Sequence, residues 1–242
     1  MKTIWIIAKR ELKSFFDSLT AYIMLIIFLG LSGFFTWLYG SDVFLVGQAS
    51  LQSFFAVAYW TLFFFTPAIT MRTIAEEKRT GTIELILTKA VSDWQLIVGK
   101  YLACLMLIGV ALLSTLPFYF TLTNIGPVDH GAVICGYLGL LLMSSAYISI
   151  GIFSSCISNN QIVSFLLSLL IGVFFLIIFQ ALSSNFTGVI GSILSYLSIS
   201  DHYQSLSRGV VDSRDIIYFV SITVFALMMA ESYLIRRNLS EK

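Results

Sequence analysis

The residues best placed to do chemistry share one polar interval, Arg72 to Lys100, between strongly apolar stretches. It carries Arg72, Glu76, Glu77, Lys78, Arg79, Glu84, Lys89, Asp93 and Lys100. The mixed run Glu76-Glu77-Lys78-Arg79 suits docking, because complementary charge sets register and association rate. Behind it Ile83, Ile86, Leu87 and Ala90 recur at i, i+3, i+4 and i+7, an apolar stripe on a short helix. Gly81 permits a sharp turn, and Thr80 or Thr82 caps the helix start. Ser92 with Gln95 reads as a capping box for the next helix, which carries Trp94, Ile97, Val98 and Tyr101 at helical spacing. A merely solvated loop would need the charges but neither the stripe nor the turn signals. The pattern predicts a short exposed helix whose Ile83, Ile86 and Leu87 anchor it in a partner, since buried apolar contacts dominate interface energetics.

Other chemistry finds little support. Gly99-Lys100 resembles the end of a phosphate-binding loop, but Trp94 stands where its first glycine belongs and Tyr101 replaces the Ser or Thr. His130 and His202 lie far apart without ligand-spaced companions and read as surface residues. Cys104, Cys135 and Cys156 lack paired spacing and read as packing residues. The expectation is a protein that is not an enzyme, with no catalytic residue and no metal or cofactor of its own. Within the apolar segments only Glu231 is acidic, close to Arg236 and Arg237. Ion-coupled carriers mark their paths with buried charge, so this scarcity argues against a secondary transporter.

The elements that hold the polar interval are hydrocarbon-compatible. Of 242 residues, 58% are hydrophobic and 11% charged, with a mean hydropathy of +0.92. Soluble domains carry about 25% charged residues. The fold expected is an all-α integral membrane protein, one transmembrane domain over residues 1–242. Six spans are predicted at about 19–39, 54–74, 101–122, 132–153, 162–182 and 216–235. Residues 1–17 read as an interfacial helix, with Trp5, Ala8, Leu12, Phe15 and Phe16 on one face and Lys2, Lys9, Arg10 and Lys13 elsewhere. Among the 14 Lys and Arg, this layout leaves only Arg208 and Arg214 on one side of the membrane. The basic side, with both termini and the central interval, is therefore expected in the cytoplasm. A net charge of +1 gives no reason to expect nucleic acid.

The segment Glu76-Glu77-Lys78-Arg79-Thr80-Gly81-Thr82-Ile83-Glu84-Leu85-Ile86-Leu87-Thr88, followed by Val91-Ser92 and Gly99-Lys100, resembles the signature of ABC-2-type transporter permeases. Ala90 departs from it, standing where many members have proline. The turn Ser154 to Val163, with Asn159 and Asn160, is similar to the family's other cytoplasmic turn. The run Leu197 to Tyr203, continuing through Arg208 to Asp215, is similar to the subgroup associated with gliding motility. The resemblance implies a coupling helix docked on a separate ATP-binding subunit that holds ATP and Mg. It also implies a second permease copy or related permease, a bacterial inner-membrane location, and an accessory membrane protein with a periplasmic domain. Ile190, Ile193, Leu194 and Leu197 would then belong to re-entrant helices at an outer gate. The alternative function is a mechanotransmission or scaffold subunit that moves no substrate.

Overall fold

The computed structural model describes residues 2–39, 49–82, 91–186 and 188–240, with side chains through residue 236. Six helical stretches are long and apolar enough to cross a membrane: Leu19–Trp37, Gln52–Arg79, Asp93–Ile125, His130–Ile157, Gln161–Asn185 and Ser213–Arg236. No strand occurs among the described residues. The chain is an all-α, multi-pass membrane protein.

Local sequence explains where the helices start and break. Helix α1 (Lys2–Asp17) is followed at once by α2 (Leu19–Trp37), and α3 (Gln52–Thr70) leads through a turn into α4 (Ala75–Arg79). Ser92 starts α5 (Asp93–Leu113) with the complete capping box, its Oγ accepting from Gln95 N. The third span thus begins eight residues before Tyr101, the expected first residue. It breaks at Ser114-Thr115, just before Pro117, and resumes as α6 (Leu116–Ile125). Proline has no backbone N–H to donate to the preceding turn. At the break, Thr115 Oγ1 contacts Leu112 O at 2.7 Å and Tyr137 Oη at 2.8 Å.

Helix α7 (His130–Ile157) starts on Asp129, whose side chain accepts from Ala132 N. It takes in Ser154–Ile157, residues expected in a polar turn, and leaves only 158–160 between it and α8 (Gln161–Val173). A π-helical turn, Phe174–Ile178, joins α8 to α9 (Phe179–Asn185). The short helices α10 (Val189–Tyr196) and α11 (Ile199–Ser207) precede α12 (Ser213–Ser240).

Helix α7 is the core of the bundle, packing against α3, α5, α8, α11 and α12. Its small residues let neighbours come close, as they do between membrane helices generally. A Cβ at Gly151 would collide with the Thr70 hydroxyl of α3. The buried threonine hydroxyls of α3 are satisfied within their own helix: Thr61 Oγ1 donates to Val57 O, Thr66 Oγ1 to Leu62 O and Thr70 Oγ1 to Thr66 O. Such bonds make polar residues tolerable where water is absent.

Candidate functional site

The polar interval enters and leaves the bundle through a buried ionic cluster. Lys100, near the start of α5, is 1% exposed. Its Nζ donates to Glu77 Oε1 and to Thr73 O, both at 2.7 Å, and lies 3.6 Å from Glu11 Oε1 of α1. One ammonium therefore joins α5, α4, the turn before α4 and the N-terminal helix. Its three donors make that convergence possible. Helix α1 reaches this position because residue 99 is glycine: a Cβ there would lie 2.6 Å from Ile7 Cγ2.

Ser155 of α7 fixes the start of α4. Its Oγ accepts from Ile74 N at 3.0 Å and Ala75 N at 2.9 Å, and donates to Met71 O at 3.2 Å. These amides sit at the helix start, where no intrahelical carbonyl serves as partner. Lys78 donates to Cys156 O and lies 4.9 Å from the Tyr233 ring centroid of α12. Arg72 donates to Thr20 Oγ1 at 2.7 Å and Ser18 Oγ at 3.3 Å. The approach to the central interval is thereby tied to α1, α2, α5, α7 and α12. A cleft of about 410 Å³ between α1 and α4 is lined by Arg10, Glu76, Glu77, Thr80, Thr82 and Lys100, among others.

Of the expected docking residues, Glu76, Glu77, Lys78 and Arg79 form α4. Gly81 adopts the positive φ of 70° that its turn needs, and Thr82 Oγ1 lies 2.9 Å from Thr80 Oγ1. Ile83, Glu84, Ile86 and Leu87 lie outside the described residues. Asn159 and Asn160 form the α7–α8 turn, where Asn160 Oδ1 accepts from Ile162 N at 2.9 Å. Through Lys78 and Cys156 this turn and α4 share one end of the bundle. Sequence reading missed Lys100, Glu11 and Ser155 as partners of α4. Only a charged residue at the head of an apolar segment hinted at Lys100; no local spacing links the other two to α4.

A family model described as "ABC-2 family transporter protein" matches residues 41–235, well over half of the chain. The chain belongs to the ABC-2 transporter family. No curated protein matches it. Membership makes this six-span chain a permease subunit of an ABC exporter, and the family implies an ATP-binding partner subunit.

At the other end of the permease, α11 is lashed to its neighbours by rings. Tyr203 stacks on Tyr59 with centroids 4.7 Å apart, and its hydroxyl donates to Phe55 O at 3.0 Å. Burial pushes the Tyr203 phenol well up from its ordinary value, so it remains a donor. His202, expected at the surface, is buried. Its Nδ1 lies 2.6 Å from Asp215 Oδ1 and its Nε2 3.1 Å from Tyr196 O. The ring stacks on Tyr218 with centroids 4.0 Å apart, and Tyr218 Oη donates to Leu197 O at 2.6 Å. These partners come from three elements, so no local spacing in the sequence announced them. His130, the other histidine, is exposed and its Nδ1 lies 2.8 Å from Tyr119 Oη. All three cysteines are buried and free. The stripe Ile190, Ile193 and Leu194 lies on α10, and Leu197 closes that helix. Ile190 and Ile193 are exposed.

Proposed function

We propose that this permease is worked by a separate ATP-binding subunit docked at the end that carries α4. The interval from Thr82 to Ala90 is the coupling helix, with Ile83, Ile86 and Leu87 as apolar anchors. Glu76, Glu77, Lys78, Arg79 and Glu84 set the charge register, Gly81 and Thr82 form the turn, and Asn159 and Asn160 flank the contact. The observation carrying this reading is the junction of Lys100, Ser155 and Lys78, which fastens α4 to α1, α5, α7 and α12. A push delivered just beyond α4 therefore moves several helices together. Packed cores respond to such a push by rigid-body shifts rather than continuous deformation.

The same reading places the docking end and both termini in the cytoplasm and the chain in a bacterial inner membrane. ATP and Mg belong to the partner, and this chain binds no cofactor. One chain pairs with a second copy or a related permease to enclose a pathway. The run from Leu197 to Asp215 supports membership in the gliding-motility subgroup, with an accessory membrane protein bearing a periplasmic domain. Affinity purification in mild detergent tests the docking. Wild type should bring down a nucleotide-binding subunit, and Ile86→Asp should lose it while remaining in the membrane. Equal recovery from both would remove the coupling assignment.

A further inference from the structure

A slot of about 350 Å³ lies between α3, α9 and α11, at the end of the permease opposite α4. The stacked pair Tyr59 and Tyr203 forms part of its wall, and Trp60, 47% exposed on the surface of a span, stands at its edge. Arg208 is the one charged residue lining it, beside the amides of Gln52, Gln180 and Gln204. Gln204 Nε2 is held by Ser200 Oγ at 3.3 Å. Among the described residues, the side chains of Gln52, Gln180 and Arg208 make no hydrogen bond or ion pair with the protein. An amide without a partner inside a membrane span is costly unless something polar meets it.

The π-helical turn explains how Gln180 comes to face the slot. Ser164, Ser168 and Gly172 of α8 are buried at intervals of four, and Leu176 continues the series. In a regular α-helix four residues turn about 400°, so such a series drifts about 40° per step. The wider turn at Phe174–Ile178 absorbs that drift. It keeps residues 172, 176 and 180 near one face, the face α8 turns toward α3 and α7. The backbone is thus irregular where regularity would have rotated Gln180 away.

We propose that this slot binds the headgroup of an anionic, hydroxyl-bearing phospholipid. The guanidinium of Arg208 holds the phosphodiester, for which its planar donors are suited. Gln52 and Gln180 meet the headgroup hydroxyls, and Trp60 packs beside the glycerol and upper acyl carbons, as tryptophan does at membrane interfaces. A single uncompensated cation matches a group of single negative charge. Six of the lining residues, among them Trp60 and Gln180, belong to membrane spans, which favours a ligand arriving from the bilayer over one arriving from water. The site is separate from the docking end and does not rest on the ATPase assignment.

Native mass spectrometry of the detergent-solubilised full chain tests this, with phosphatidylglycerol, phosphatidylcholine and free glycerol 3-phosphate as probes. Phosphatidylglycerol should stay bound at concentrations where the other two do not. Arg208→Gln should weaken its retention about tenfold, the loss of one charge-assisted contact. Gln180→Leu should weaken it less, and Arg208→Lys should keep most of it. Arg214→Gln, a nearby exposed arginine that does not line the slot, should change nothing. Equal retention of the two lipids would overturn the proposal, as would equal loss from Arg208→Gln and Arg214→Gln. Equal binding of glycerol 3-phosphate would overturn the lipid source. If Arg208→Gln does not fold, as judged by helical circular dichroism and size exclusion, Gln180→Leu and Arg208→Lys carry the test: unchanged retention in Gln180→Leu, or its complete loss in Arg208→Lys, would refute it.

Discussion

The two ends of the permease are joined by different physics. Around α4 the ties are ionic and backbone-directed: an ammonium at 1% exposure bridges to Glu77 and Thr73 O, and one serine hydroxyl serves two amides. At the opposite end one buried His202–Asp215 contact is outnumbered by ring stacks and tyrosine hydroxyls on carbonyls, beside clefts of about 680 and 350 Å³. A buried ion pair tolerates little displacement, because moving one partner strands the other without water. A stacked ring can slide and keep most of its contact, since dispersion is spread over many weak atom pairs. The first end is suited to moving as a unit, the second to rearranging.

The sharpest way to break that contrast is Lys100→Met. It leaves Glu77 buried without its cation, an arrangement that costs about 3 kcal/mol or more when one partner of a buried pair is removed. Thermal unfolding in detergent should show the loss. Adding Glu77→Gln should recover most of it, because replacing both partners removes the stranded charge. If Lys100→Met alone left unfolding unchanged, the ionic account of this end would fail.

A smaller effect is expected at the other end. Tyr203→Phe removes the hydroxyl bond to Phe55 O but keeps the stack on Tyr59, and should cost about 1 kcal/mol. The same unfolding assay checks it. A cost as large as that of Lys100→Met would mean that the hydroxyl, not the ring, carries the junction, and the two ends would not differ as described.

How much of this was legible in the sequence follows the range of each interaction. The six apolar stretches, the capping box at Ser92 and the turn at Gly81 are each set by one continuous run of sequence, and the structure shows all of them. The Glu76–Arg79 run was found because its charges are contiguous. Lys100 with Glu11, Ser155 with Ala75, and His202 with Tyr196 and Asp215 depend on how helices pack, which periodicity does not encode. His202 shows the failure most clearly, since a histidine in a connecting segment without a spaced ligand reads as surface. The π-helical turn left no signal at all, because Phe174–Ile178 is as apolar as its neighbours.

The smallest energetic effect belongs to the variants that decide which end faces which compartment. Arg79→Cys on α4 and Val210→Cys after α11 replace exposed residues, and surface substitutions of this kind shift stability by no more than about 0.5 kcal/mol. The native Cys104, Cys135 and Cys156 are buried, so background labelling is low. A membrane-impermeant thiol reagent applied to sealed, right-side-out spheroplasts should reach Cys at 210 and spare Cys at 79 until the membrane is opened. The basis is the proposed orientation, in which the Lys- and Arg-rich end carrying α1 and α4 lies in the cytoplasm. Labelling at 79 from outside would invert the permease. The ionic end would then face away from any source of ATP, and the stiff-end, soft-end contrast would have to be explained without a motor.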